Sequence, residues 1–273
     1  MSVVNSNIKA LIANQSLKIN ERSLGTAMER LSTGKRINGA GDDAAGLAIG
    51  NRMGTQIRSL NQAVRNANDA ISMIQTADGA AEGITNLLIR MRELTVQATN
   101  GTNSTSDKSS LQSEFESLQT EITRISDKTT WNGVALIGAD AGSVAYQIGI
   151  DGGSESQVTV TYKDLNSGTS FATAVATTTS ATVSTSITHI DDAISALDAF
   201  RSDLGSKINR LNYAADNLTN IATNTAASRS RIVDTDYAQT TSELARAQIV
   251  REAGTAMLAQ ANQEPAFVLA LLR

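Results

Sequence analysis

The sequence predicts a mainly α protein: an elongated antiparallel coiled-coil helical bundle formed by N- and C-terminal segments, with a small β-hairpin region between them. Three observations carry this. Apolar residues recur at alternating steps of four and three in three separate runs, and that average period of about 3.5 is a coiled-coil seam. A single proline, Pro265, stands in 273 residues, so nothing upstream of it breaks a long helix. After Asn132-Gly133 the apolar period falls to two, the mark of strands.

The elements follow in chain order. Residues 1–44 carry Val4, Ile8, Leu11, Leu17, Leu24, Met28 and Leu31, a stripe interrupted by Asn14, Gln15, Lys18 and Glu21. Gly39-Ala40-Gly41-Asp42-Asp43 lacks the Lys-Ser/Thr of a phosphate loop and reads as a hinge with an acidic helix cap. The first seam is Met53, Ile57, Leu60, Val64, Ala67, Ile71 and Ile74. It is disturbed at Asp78 and resumes through Ala81, Ile84, Leu88, Met91 and Ala98. A helix from about Asp43 to Asn100 would be roughly 80 Å long. The polar run Asn100 to Ser106 turns the chain back.

A second seam is Leu111, Phe115, Leu118, Ile122 and Ile125. Asn132-Gly133 is a turn, and Trp131 beside it is expected to anchor the bundle against the β region. Val144, Tyr146, Ile148 and Ile150, then Val158, Val160 and Tyr162, alternate on either side of Asp151-Gly152-Gly153 and read as a hairpin. Ser167 to Thr188 reads as a solvated Ser/Thr/Ala loop. A third seam runs Ile187, Ile190, Ile194, Leu197, Leu204, Ile208, Leu211, Ala215 and Leu218, with Arg201 in one apolar slot. Residues 233–273 carry Leu244, Ala247, Val250, Met257, Leu258 and Ala261, then the apolar tail Phe267 to Leu272, with Pro265 expected to stop the preceding helix.

Composition excludes several classes. The chain has no Cys and one His, His189, so thiolate or His-pair metal sites and cysteine nucleophiles are absent. Its 23 basic and 27 acidic residues give a net charge of −4, which argues against nucleic acid as a partner. No apolar run approaches the ~20 residues a membrane span needs, and the first residues lack the pattern of a cleaved secretory signal. No catalytic, cofactor or metal site is expected. Residues 1–44 carry six basic and four acidic side chains, and 233–273 three basic and five acidic. The ends therefore have opposite signs and are expected to pair with each other and with other copies. Isolated helices of this kind are marginal in water.

Several long motifs carry a family resemblance. Glu29-Arg30-Leu31-Ser32-Thr33-Gly34-Lys35-Arg36-Ile37-Asn38, then Gly41-Asp42-Asp43-Ala44-Ala45-Gly46-Leu47-Ala48-Ile49, resembles the start of bacterial flagellin. So do Arg65 to Ser72 and Met91 to Ala98. Ser228 to Ala238, Ala259 to Gln263 and Val268 to Arg273 resemble the family's C-terminal end. The resemblance implies an extracellular subunit that polymerises into the flagellar filament for swimming, with no enzymatic activity, exported through the flagellar channel without a cleaved signal.

It also implies a layout. Residues 1–44 and 233–273 would be paired terminal helices of an inner tube, 45–130 and 188–232 a coiled-coil rod, and 131–187 a vestigial outer region. The polymer interface would include Leu11, Leu24, Met28, Leu31, Leu244, Met257, Leu258, Val268, Leu269, Leu271 and Leu272. Beyond the homopolymer, the implied partners are an export chaperone at the C-terminal segment, the filament cap and the hook-junction proteins. A host flagellin-sensing Toll-like receptor is a further partner, with Arg90, Leu94 and Glu114 as matching contact positions.

Overall fold

A computed structural model describes residues 7–164 and 183–271, with side chains described for 7–164 and 187–263. Among these residues the chain forms five helices and two antiparallel hairpins. The helices are α1 (Ile8–Thr33), α2 (Ala44–Thr99), α3 (Thr105–Lys128), α4 (Val183–Val233) and α5 (Tyr237–Leu271). The strands are β1 (Thr130–Trp131), β2 (Val134–Ala135), β3 (Ser143–Gln147) and β4 (Gln157–Thr161). The expected mainly α bundle with a small hairpin region is what forms. Two compact units divide the chain: residues 1–57 with 223–273, and residues 58–222.

Polar residues set the helix ends. Asn7 accepts the Ala10 amide at 3.0 Å and starts α1. Gly34 ends it at φ 70°, a left-handed cap that costs glycine little, and an added Cβ there would meet the Tyr237 hydroxyl at 2.9 Å. The Asp43 carboxylate accepts the Gly46 amide at 2.8 Å, so the expected acidic cap of α2 is in place. Ser104 and Asp107 form a reciprocal capping box at the start of α3.

The core of the unit spanning 58–222 is aliphatic. On α2 the central buried line is Leu60, Ala63, Ala67, Ala70, Ile74, Ala77, Ala81, Ile84, Leu88, Met91 and Leu94, with Met73 buried beside it. That is a strict alternation of three and four as far as Met91. Val64 and Ile71, expected in this seam, flank it instead, because Ala63, Ala70 and Ala77 occupy the central line. Alanine there removes bulk, so facing helices can approach closely. Nor does the seam break at Asp78: Ala77 and Ala81 carry it past. Phe115 and Ile122 from α3, Val158 and Val160 from β4, and Ile190, Leu197, Phe200, Leu204 and Leu211 from α4 complete this core.

The hairpin read from alternation forms as β3–β4, with Val144 opposite Val160 and Tyr146 opposite Val158. The Tyr146 hydroxyl lies 2.9 Å from that of Tyr162 and donates to Met73 Sδ at 2.8 Å, tying the hairpin to α2. A second hairpin, β1–β2, turns on Asn132 (φ 47°) and Gly133 (φ 83°), the left-handed pair of a type I′ turn. Trp131 does not anchor the core. It pairs across this hairpin with Val134 and is 38% exposed.

Two further expectations are corrected. Ser167 to Thr188 falls mostly outside the described residues, but from Val183 onward the chain is already α4. Pro265 does not end α5, which continues to Leu271. A proline removes one amide donor from a helix, and the remaining bonds on either side sustain this one.

Candidate assembly surface

In the unit formed by 1–57 and 223–273, α1 packs antiparallel on α5. The facing residues on α1 are Ala10, Ala13, Leu17, Asn20, Leu24, Ala27 and Leu31, stepping three and four. On α5 they are Thr240, Leu244, Ala247, Gly254, Leu258 and Ala261. The seam is thin. Only Ala27 of α1 is buried, so the pair hides little apolar surface.

Two asparagines fix the register of this pair. Asn20 Nδ2 donates to the Ala247 carbonyl at 2.7 Å, and Asn7 Nδ2 to the Ala261 carbonyl at 2.6 Å. A sequence reading ranks both as polar and passes over them. Their signal was position, since Asn20 falls on the seam spacing between Leu17 and Leu24.

The helix links are tied by main chain. The Arg36 amide donates to Val233 O at 2.7 Å and the Thr235 amide to Gly34 O at 3.0 Å. Arg36 Nη2 adds a bond to Ile232 O at 2.7 Å. Asp236 accepts the Ala238 amide at 2.8 Å and caps α5, while Asp234 accepts from Ser230 Oγ at 2.6 Å. These two carboxylates are therefore structural.

Several large apolar side chains of both helices point away from the seam. Leu11 is 65% exposed, Met28 55% and Met257 65%; Ile8, Ile12, Ile19, Tyr237 and Ile249 are exposed too. Of the expected interface residues, Leu11, Met28 and Met257 thus lie free. Leu24, Leu31, Leu244 and Leu258 are half-buried along the α1–α5 seam. The sequence stripe had merged two faces of α1. Val268, Leu269, Leu271 and Leu272 lie outside the residues with described side chains.

In the other unit, Arg90 and Glu114 meet across α2 and α3. Arg90 Nη2 lies 2.8 Å from Glu114 Oε1, and Nη1 lies 3.0 Å from Glu93 Oε2. The bond to Glu114, then that to Glu93, raises the Arg90 pKa above its ordinary value. Leu94 is not with them at the surface. It is 1% exposed and belongs to the core, because its position continues the buried line of α2. The exposed apolar residues of this stretch are Ile89 and Val96.

Paired terminal helices, outward apolar faces and heptad-packed helices define a class: a structural, self-associating helical subunit. The N-terminal helical region of bacterial flagellin matches residues 4–140, and the C-terminal helical region matches 187–272. Flagellin of Halalkalibacterium halodurans is 43% identical over 271 residues, covering 99% of this chain and all of that protein. Flagellin C of Vibrio cholerae is 32% identical over an alignment of 372 positions that covers 98% and 99% of the two chains. A putative flagellar hook-associated protein from Vibrio parahaemolyticus shares the fold at a TM-score of 0.60, with 14% identity, covering 71% of this chain and all of that one.

The chain belongs to the bacterial flagellin family. It is a structural subunit that polymerises into the extracellular filament of the flagellum, on which swimming depends, and it is not an enzyme. Its 273 residues are far fewer than the 372 aligned positions with the Vibrio relative, so the insertions lie in the relative.

Proposed function

We propose that copies assemble chiefly through the outward faces of α1 and α5. The observation that carries this is the exposure of Leu11, Met28 and Met257 on helices whose mutual seam hides little surface, with only Ala27 of α1 buried in it. Burying one such side chain is worth roughly 1.5–3 kcal/mol, and nothing within the described residues covers them. In this reading 1–44 and 233–273 form the inner tube, 45–130 and 188–232 the rod, and 131–187 the reduced outer region. Leu24, Leu31, Leu244 and Leu258 support the interface by holding the α1–α5 pair. Seeded polymerisation tests it: Leu11→Ser and Met257→Ser should each stop elongation while the monomer keeps its helical content. Elongation at the normal rate would refute it.

The apolar tail Val268, Leu269, Leu271 and Leu272 joins the same interface. Before export a chaperone shields it, since such a segment left free aggregates. Deleting 264–273 should give soluble monomer that neither binds the chaperone nor extends seeds. The filament cap and hook-junction proteins meet the same terminal faces at the two ends of the polymer. Export through the flagellar channel without a cleaved signal belongs to this reading and rests on family membership.

For the host Toll-like receptor, Arg90 and Glu114 are the direct contacts. A guanidinium fork already oriented by two carboxylates is preformed for a further acceptor. Leu94 acts from below by holding α2 in place.

A further inference from the structure

We propose that Arg30 is an inter-subunit anchor that takes a carboxylate side chain from a second copy of this chain into the groove between α1 and α5. The proposal rests on the assembly reading above and adds a specific polar contact to it. The groove has a volume of about 400 Å3 and is lined by Ile19, Arg22, Thr26 and Arg30 of α1 and by Glu243 of α5.

Arg30 Nε is buried and has no acceptor. A buried donor left unpaired is costly, more so on a charged group. A guanidinium presents its donors as a planar fork, and the ligand that matches this fork is a carboxylate.

The groove holds two cations, Arg22 and Arg30, against one acid, Glu243. Glu243 is engaged by Gln239 Nε2 at 3.1 Å. Asp42 feels the Arg30 charge, but its Oδ2 accepts the Asn38 and Gly39 amides at 2.9 and 3.1 Å. The Thr26 hydroxyl donates back to the Arg22 carbonyl at 3.1 Å. The groove thus keeps a positive surplus facing out, and a second copy carries more acids than bases, 27 against 23.

Ile8, Ile12 and Ile19 are exposed on the α1 face that leads into the groove. A second copy covering that stripe would also seal the groove from water. Removing water strengthens a hydrogen-bonded charge pair and makes a mismatched register costly. Arg30 would then select the register of neighbouring copies, while the apolar stripe supplies the attraction.

Seeded polymerisation of the full chain tests this. Arg30→Met keeps the apolar stem but removes charge and donors. Its critical concentration should rise at least tenfold, with monomer helicity and thermal unfolding unchanged. Arg30→Lys should recover only part, because an ammonium lacks the fork. Arg30→Glu should fail alone but co-polymerise with a chain in which one exposed Asp or Glu is changed to Arg. Two results would overturn the proposal: Arg30→Met assembling at the normal critical concentration while Leu11→Ser and Met257→Ser do not, or inorganic phosphate saturating Arg30 without slowing elongation. Normal assembly of the Leu11 and Met257 variants would instead remove the assembly reading itself.

Discussion

Arg201 and Asp78 hold each other at the rim of the helical core, Nε to Oδ1 at 2.8 Å, with Glu82 a further 3.6 Å neighbour of Arg201 Nη2. Each sits where an apolar seam fails in the sequence, one on α4 and one on α2. Paired, they let Ala77, Ala81, Phe200 and Leu204 fill the interior beside them. The bond to Asp78 is the main reason the Arg201 pKa rises.

Both partners are about one-third exposed, so the pair should behave closer to a surface bridge than a buried one. A double-mutant cycle of Arg201→Ala and Asp78→Ala, read by urea unfolding, should give a coupling of about 1 kcal/mol or less. A coupling above about 3 kcal/mol would mean the charges act as desolvated.

The buried lines of α2 and α3 should tolerate truncation far less than their flanks. Leu88→Ala and Ile122→Ala should each cost about 2–5 kcal/mol, since both side chains are fully buried. Ile71→Ala should cost visibly less, because Ile71 only borders the core. Equal losses at all three positions, measured by urea unfolding, would place Ile71 inside.

Alkaline pH should destabilise the β3–β4 hairpin. Burial is the largest cause raising the pKa of both Tyr162 and Tyr146. In the unfolded chain a tyrosine ionises near pH ~10. The folded state resists losing that proton, so the stability is fully present below about pH 10 and is lost as pH rises beyond it. Tyr162→Phe should flatten this decline in urea midpoints. An unchanged slope would show that the phenols do not carry it.

The thin α1–α5 seam should open readily in dilute monomer. Limited proteolysis should trim residues 1–44 and 233–273 and spare the stretch from about Asn51 to Ile232. Protection of both ends equal to that of the core would contradict this.

The proposed receptor contact predicts that signalling will separate Arg90 from Leu94. Arg90→Asp should abolish activation by monomer in a reporter assay while thermal unfolding stays near normal, because Arg90 is exposed. Leu94→Ala should lower stability together with activity, because Leu94 is a core residue. Loss of activity at Leu94 with stability intact would make it a direct contact.

The seams were legible because a period near 3.5 survives individual exceptions. Their phase was less so. Val64 and Ile71 outweigh Ala63 and Ala70 in hydrophobicity, so the larger residues draw the line toward themselves, although close helix approach favours the smaller. The same bias put Leu11 and Met28 on one stripe with Leu17 and Leu24. Asn20 read as neutral, because sequence shows a polar side chain but not the carbonyl it meets. The cap at Asp43 was readable, being local. Trp131 was misjudged because a two-residue turn leaves its neighbours little core to enter. The unpaired Arg30 donor had no sequence signal, since it depends on which atoms lose water.

The bond from Asn7 to Ala261 joins residues 254 apart, nearly the full span of the 273-residue chain. Contacts so distant in sequence are slow to form. More than that, they are impossible until the last stretch of chain is free. A polypeptide synthesised N-terminus first holds α1 without its partner until the segment around Ala261 has been made. The unit that brings both ends together therefore depends on both: the register of α1 cannot be set before the segment carrying Ala261 is present.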